Sequence, residues 1–185
     1  PQPTDALVFQ VLVEELSEKT LNNQPSKNAF YSRDKHNNSK PHSVDEYGLN
    51  WRQQWKKLQK RIYNFSDEKE LIVVTDLANY YDSIDMNELR KVFTSYSKIE
   101  EVVIDLLFRI IKGISWIPDY LPYSFRGLPT TNIEGIRLLA HSFLFEIDEI
   151  IKENTNDCFA RWMDDITFGV DSKKQAIETL SVISD

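Results

Sequence analysis

Residues 157–170 read Asp-Cys-Phe-Ala-Arg-Trp-Met-Asp-Asp-Ile-Thr-Phe-Gly-Val. Strand-forming residues flank the adjacent acids Asp164 and Asp165, and they predict a hairpin with strands over Asp157–Met163 and Ile166–Val170. Two neighbouring carboxylates at a turn repel each other and gain no packing in return. We therefore expect a positive charge above them, and a hard divalent cation bound by oxygen ligands suits the pair best.

A second segment, Leu71-Ile-Val-Val-Thr-Asp76, is an apolar run that ends in an acid. A continuous run of this kind predicts a central strand buried on both faces. One carboxylate at its end, beside a hairpin tipped with two more, can hold two Mg²⁺ ions about 4 Å apart, with Mn²⁺ as an alternative. Asp76 alone would be an ordinary solvated strand end and Asp-Asp an ordinary polar turn, but together they predict a metal site.

Three segments resemble the palm motifs of reverse transcriptases. Thr75–Ile84 resembles the first motif, in which two aromatics and then Asp-x-Ile follow an aspartate. Phe125–Pro129 partly matches the second motif, and Phe159–Asp165 resembles the third, where Tyr is commoner than Trp162. Their spacing, with a helix predicted over Arg137–Glu153, resembles that of bacterial enzymes of the group II intron and retron type.

The resemblance implies an α/β (α+β) fold, a right-hand polymerase palm with part of the fingers, whose central antiparallel sheet packs on helices. Asp5–Gln10 and Phe30–Arg33 resemble fingers segments of those enzymes. Residues 1–70 are then partial fingers with a polar insertion near 22–50, and residues 71–185 are the palm. The chain opens without Met and stops part-way into a predicted helix, so we expect a larger protein that also has a thumb and an earlier fingers segment.

The resemblance also assigns roles to residues of the first and third motifs. Asp76 and Asp164 would bridge the two metals, Asp165 would be an auxiliary acid, and the Leu77 carbonyl would be a further ligand. Tyr81 falls where the family places the aromatic that packs beneath the sugar and excludes a 2′-hydroxyl, which favours dNTPs. The alternative for Tyr81 is an ordinary core aromatic.

The second motif is where the chain departs from the family. Pro129 and Thr130 would lie in the nucleotide-facing segment, but Thr130-Thr131 stands where Gln-Gly is usual. The β-branched threonines restrict the backbone there, and similar looseness occurs in abortive-infection and defence-associated reverse transcriptases. Arg126 is a candidate for contact with the nucleic-acid backbone, and the alternative is a structural salt bridge.

A strongly basic segment, Trp51–Arg61, precedes the apolar strand. Trp51, Trp55, Leu58 and Ile62 recur at helical spacing and predict the apolar face of an amphipathic helix. The candidates for contact with a template or product backbone lie off that face, and they are Arg52, Lys56, Lys57, Lys60 and Arg61. A net charge of −7 disfavours general binding of polyanions, so the prediction depends on this local patch. A solvated helix face is the alternative.

Composition excludes several classes of protein. With 185 residues, 41% of them hydrophobic and 12% aromatic, the chain can form one or two packed subdomains. There is no apolar run of membrane-spanning length and no leader peptide pattern, so no membrane contact is expected. A single cysteine, Cys158, cannot form an internal disulfide and is expected to be a small buried hydrophobe in a cytoplasmic protein.

Other helices follow from apolar periodicity and from capping residues. They are predicted over Thr4–Leu21, with Leu7, Val8, Val11, Leu12 and Leu16 on one face, and over Met86–Tyr96, Ile99–Ile114 and a segment starting near Ser172.

The resemblance implies an RNA-directed DNA polymerase that adds dNTPs to a 3′-hydroxyl, acts in antiphage defence, and has an RNA template, a DNA primer and further domains or protein partners. One alternative is a template-independent or protein-primed DNA polymerase of the same fold. Another is a catalytically inert palm that binds RNA or protein. An RNA-dependent RNA polymerase would share the acids, but it usually has a smaller or polar group at Tyr81 and Gly at Met163.

Overall fold

The computed structural model describes residues 3–31, 51–95, 99–115, 120, 126–130 and 133–184. In this part of the chain there are eight helices and a four-stranded mixed sheet. None of the described helices is long and apolar enough to cross a membrane. Contacts divide the chain into two compact units, unit 1 with Pro1–Gln24 and Ala78–Phe143, and unit 2 with Pro25–Leu77 and Leu144–Asp185.

The elements, in chain order, are α1 (Pro3–Leu21), β1 (Ala29–Phe30), α2 (Trp51–Ser66), β2 (Leu71–Asp76), α3 (Tyr80–Ser83), α4 (Met86–Ser95), α5 (Glu101–Ile114), α6 (Glu134–Phe143), α7 (Phe145–Thr155), β3 (Phe159–Trp162), β4 (Asp165–Val170) and α8 (Lys173–Ser184). The predicted hairpin, the predicted strand ending at Asp76 and most predicted helices are confirmed to within a few residues. The helix predicted over Arg137–Glu153 is instead two helices, α6 and α7, separated at Leu144.

Unit 2 contains the whole sheet, whose strand order is β1-β3-β4-β2. Successive residues of a strand point to opposite faces. On one face, Ala160 and Cys158 pack with Leu58 and Phe65 of α2. On the other, Phe159, Ile166, Phe168 and Val170 pack with residues of α7 and α8, namely Ile151 and Ala176. The sheet is therefore a layer between helices, and Cys158 is a free, buried thiol as predicted.

Two expectations about this sheet were wrong. The strand β2 was expected to be central and buried on both faces, but among the described strands it lies at the edge, and Val74 is 76% exposed. The sheet was expected to be antiparallel, but β1 pairs in parallel with β3. Two residues, Ala29 and Phe30, are too few to show a strand period, and they lie in the stretch 22–50 that reads as a polar insertion. Residues 32–50 of that stretch lie outside the described residues.

Unit 1 is built on α1, which packs against α5 and α6. The close approach depends on Gly135, because a Cβ there would lie 2.5 Å from the Phe9 ring and 2.6 Å from Val13. The buried face of α1 therefore contains Phe9 and Val13, while Leu7 and Val11 are 65% and 60% exposed. Of the predicted apolar face, Leu16 is buried as expected, but Leu7, Val8 and Val11 are exposed. Apolar residues occur on more than one side of this helix, and periodicity alone does not choose between them.

Candidate active site

The acids stand at a tight turn between β3 and β4. The register pairs Trp162 with Asp165, which leaves Met163 and Asp164 as a two-residue connection. Met163 has a φ of 55°, in the left-handed region that hairpin turns usually fill with Gly or Asn. A side chain held in such a conformation costs about 1–3 kcal/mol, and residues of this kind concentrate at functional sites. The chain thus keeps a strained residue directly before its two acids.

Strand register brings the third acid to the same place. Asp76 is the cross-strand partner of Asp165, the last pair of the β2–β4 ladder. Directly opposed residues in an antiparallel pair share a face, with Cβ atoms about 4.5–5.5 Å apart. Asp164 precedes Asp165 in the chain, so acids 88 positions apart in sequence, at 76 and 164, are gathered at one end of the sheet within unit 2. The residue that faces Asp76 is Asp165, to which the resemblance gave the auxiliary role.

The negative charges of the three carboxylates repel one another. Partial burial raises the pKa of the Asp165 carboxyl, and the negative charges of Asp164 and Asp76 raise it further. In the part of the chain that the structure describes, no Lys, Arg or His forms an ion pair with any of the three. The site is therefore a concentration of negative charge that a cation would stabilise.

The donor set suits one kind of cation in particular. Among the described residues, no three His, Cys, Asp or Glu side chains are grouped closely enough to hold a metal by themselves. Mg²⁺ does not need such a cage, because it usually keeps several waters and binds one or two carboxylates together with substrate phosphates. The facing pair Asp76 and Asp165, with Asp164 beside it, fits Mg²⁺ bound in that way. The Leu77 side chain packs against the core beneath the sheet.

Space for a ligand lies beside Asp76. A groove of about 460 Å³ runs between residues Thr75, Asp76 and Leu77 and one side of α8. Leu180 and Ser181 form part of its opposite wall. Asp76 therefore lies next to this open groove on one side and next to Asp165, its cross-strand partner, on the other.

A buried ion pair, which the sequence reasoning missed, lies directly behind the turn. Arg161 and Asp148 are both 0% exposed, and Nε and Nη2 of Arg161 each lie 2.6 Å from a different oxygen of Asp148. Burial raises the pKa of the Asp148 carboxyl, while the charge and hydrogen bonds of Arg161 act in the opposite direction. The signal was present in the sequence, because Arg161 interrupts an apolar strand and Asp148 interrupts an apolar helix face, and buried charges of this kind need partners.

The same arginine also contacts the turn. Its Nη1 donates a hydrogen bond of 2.7 Å to the carbonyl oxygen of Met163. The Met163 N–H donates to the carbonyl oxygen of Phe30 at 3.2 Å, and the Arg161 N–H donates to that of Asn28 at 2.9 Å. Both backbone polar groups of the strained residue are therefore held, one by β1 and one by Arg161.

The basic helix α2 is rotated relative to expectation. Its buried residues are Gln54, Leu58 and Phe65, whereas Trp51 and Trp55 are 50% and 40% exposed. Trp55 packs edge-on against Trp162, with ring centroids 5.3 Å apart. The predicted apolar face was therefore wrong for the two tryptophans, because the helix buries Gln54 instead.

The five cations of α2 divide into two groups. Arg61 is bound to Asp157, donating to its carbonyl oxygen and lying 3.8 Å from its carboxylate. The other four, Arg52, Lys56, Lys57 and Lys60, are exposed. The candidate surface for a polyanion thus consists of these four, and Arg61 belongs to the packing between α2 and the start of β3.

In unit 1, the two adjacent tyrosines differ. Tyr80 is 7% exposed, and its hydroxyl donates to the Ala140 carbonyl oxygen. Tyr81 is partly exposed and packs edge-on to the Tyr80 ring at 5.6 Å. The core aromatic of the pair is therefore Tyr80, and Tyr81 is the more exposed of the two.

The second motif, also in unit 1, is hydrogen-bonded to the last residues of the first motif. The Gly127 N–H donates to the Ile84 carbonyl at 2.8 Å, and the Leu128 N–H donates to the Tyr81 carbonyl at 2.9 Å. Nε of Arg126 lies 3.7 Å from the Asp85 carboxylate, although the Arg126 side chain is 69% exposed. Pro129 is partly buried and Thr130 is exposed. Phe125 and Thr131 lie outside the described residues.

A comparison of the sequence with protein-family models gave no match, and a comparison with curated proteins gave none.

Proposed function

We propose that the chain is the catalytic palm, with part of the fingers, of a bacterial-type reverse transcriptase that adds dNTPs to a 3′-hydroxyl on an RNA template. The observation that supports this most is the strand register that sets Asp76 opposite Asp165 with Asp164 at the adjoining turn. These are the residues of the two motifs that resemble the family most. The three acids repel one another in the protein alone, and binding of cations during the reaction would explain why they lie together.

The acids would hold two Mg²⁺ ions, with Mn²⁺ as a substitute. When bound, these ions lower the pKa of the attacking hydroxyl and stabilise charge on the leaving pyrophosphate. Asp76 and Asp165, which face each other across the strands, would supply carboxylate oxygens from two separate elements. Asp164 would supply another from the turn, whose conformation sets where that carboxylate points.

The nucleic acid would bind along the exposed face of α2. This helix has five cations and no acid, in a chain whose net charge is −7. Its four exposed cations are suited to phosphate, and contacts of that kind make binding strongly dependent on salt. If the wild-type protein binds RNA as tightly at high salt as at low salt, this role for the helix is contradicted.

The resemblance further assigns Tyr81 to selection of the sugar. We expect Tyr81→Ala to raise the use of rNTPs relative to dNTPs by about 10–200-fold, since removing one steric wall changes discrimination by about 1–3 kcal/mol. The ratio of kcat/KM for a dNTP and its rNTP measures this. Tyr80→Phe is the matched control, because it removes only a buried hydroxyl, and unchanged sugar preference in Tyr81→Ala would return that residue to a packing role.

Incorporation of labelled dNTPs by the full-length protein tests the proposal. Wild-type protein with Mg²⁺, a DNA primer and an RNA template should extend the primer, and Asp164→Asn should not. Asp171→Asn is the matched control, because Asp171 lies beyond the opposite end of β4 and pairs with Lys69. RNA binding without any incorporation would support an inert scaffold instead.

The same assay without RNA template tests which type of reverse transcriptase the chain comes from. Thr130-Thr131 in place of Gln-Gly suggests a defence-type enzyme, and we propose a role in resistance to phage. DNA of biased composition made without template would support that role, and a wild-type enzyme that copies arbitrary RNA faithfully would favour an intron or retron type. Product labelled on the protein itself would indicate protein priming.

A further inference from the structure

Among the described residues of unit 2, one arginine and one aspartate are fully buried, and they are partners. Arg161 of β3 and Asp148 of α7 form a two-pronged ion pair with both N–O distances at 2.6 Å. A buried guanidinium without a carboxylate is strongly unfavourable, so each residue requires the other. Two parallel hydrogen bonds also fix the plane of the guanidinium, which a single contact would not do.

The fixed guanidinium has a further arm, and that arm reaches the acid turn. Its Nη1 donates to the Met163 carbonyl oxygen at 2.7 Å. Met163 is the residue with a φ of 55° that opens the turn into Asp164. The Met163 N–H, in the preceding peptide group, is held by the Phe30 carbonyl, so the Arg161 bond is the second of two backbone restraints on this residue.

We infer that Asp148 and Arg161 are positioning residues for the acid turn: Asp148 orients Arg161, and Arg161 holds the Met163 carbonyl so that Asp164 and Asp165 are presented beside Asp76. The expected effect of the Asp148–Arg161 pair on metal binding rests on the proposed function. Loss of a contact behind a metal ligand typically lowers metal affinity about 10–100-fold. We expect a change of that size when the Arg161 arm is removed.

Positioning can be separated from stability by replacing both partners. Two apolar side chains of similar volume often substitute for a buried ion pair without loss of stability. The double variant Asp148→Leu with Arg161→Met should therefore stay folded while it lacks the bond to Met163. Arg161→Lys is a second variant, because it keeps a cation near Asp148 but cannot span both Asp148 and the Met163 carbonyl.

The turn can be observed directly in the metal-free protein. The chain has two methionines, and only Met163 is followed by Asp. Within these 185 residues, labelling with carbonyl-¹³C Met and ¹⁵N Asp therefore yields one NMR cross-peak, from the Met163–Asp164 peptide. We expect this peak to shift in both variants, because the carbonyl loses a charged donor, and to stay in place in Asp171→Asn, which alters the opposite end of β4.

Titration with Mn²⁺, followed by the EPR signal of the free ion, supplies the second readout. A shifted peak together with about 10–100-fold weaker Mn²⁺ binding in the stable double variant would support the inference in full. An unmoved peak in folded variants would overturn it, whatever the metal result. A shifted peak in a protein whose wild type binds no Mn²⁺ would support the positioning of the turn and count against the proposed function.

Discussion

The two ends of β4 treat charge in opposite ways. Near the start of α8, Asp171 is paired with Lys69 at 2.7 Å, and this hydrogen bond raises the pKa of the Lys69 ammonium. At the other end, Asp165 faces Asp76 and follows Asp164, and among the described residues no cation pairs with them. The acid beyond one end of β4 is therefore neutralised by a lysine. At the other end, called the tip below, Asp164 and Asp165 of the hairpin lie together with Asp76 of β2. This difference is what the proposed cation site at the tip would explain, since a bound cation would offset the repulsion among the three acids.

The largest expected effect is on catalysis at the tip. Asp164→Asn should lower dNTP incorporation by about 10³-fold or more, because metal ligands contribute several kcal/mol to the stability of the transition state. Asp171→Asn, the same substitution at the other end, should stay within a few-fold of wild type. Steady-state kinetics with purified full-length protein measures both, and equal losses would remove the distinction between the two ends.

The next effect concerns the ion pair behind the tip. Arg161→Met should lower the free energy of unfolding by about 3–5 kcal/mol, because it leaves the Asp148 carboxylate buried without a partner. The double variant with Asp148→Leu should recover most of that loss. Urea unfolding followed by circular dichroism measures the three proteins, and a double variant as unstable as the single one would show that the pair is needed for packing in its own right.

A smaller effect concerns repulsion at the tip. The folded pKa of Asp165 is raised above the unfolded value of about 3.9. Folding then favours the protonated form, so this contribution to stability is present below about pH 4 and is lost as the pH rises through the folded pKa. Asp165→Asn should therefore be the more stable protein above that window in metal-free buffer.

Thermal unfolding from pH 3 to pH 7 in EDTA, and again with Mg²⁺, checks this sign. The advantage of Asp165→Asn should grow with pH in EDTA and shrink with Mg²⁺, because a bound ion stabilises only the wild-type folded state. An advantage that is independent of both pH and Mg²⁺ would mean that the acids do not repel one another in the folded protein.

The smallest effect is expected at the neutralised end. Lys69→Met should cost under about 1 kcal/mol at pH 7, because pairs near the surface contribute little. The sign for this pair is the reverse of that at the tip, since a raised lysine pKa gives stability that is present at neutral pH and is lost above about pH 10.4. Unfolding at pH 7 and pH 11 compares the variant with wild type, and a cost that persists at pH 11 would show that packing by the Lys69 stem is responsible.

Much of the local structure followed from neighbours in the chain. The helix predicted from Met86 begins there as α4, and the carboxylate of the preceding residue, Asp85, accepts a hydrogen bond at 2.8 Å from the Asn87 N–H. The strand-forming residues on each side of Asp164 and Asp165 predicted the hairpin, and the apolar run to Asp76 predicted β2. Capping, turn geometry and strand propensity act over a few residues, so the sequence carries them directly.

Burial and partnership were decided by contacts between distant segments. Phe9 rather than Leu7 is buried because α6 approaches α1 at Gly135. Arg161 can lie inside the protein because α7 places Asp148 against it, and the two-residue strand β1 exists only because β3 offers a partner. Amphipathic periodicity predicts that one face of a helix will be buried. The shapes and charges of the elements that pack against the helix determine which face that is. For the acids, residue type indicated a candidate site from the sequence, and the register of β2 with β4 decided that Asp76 would face Asp165.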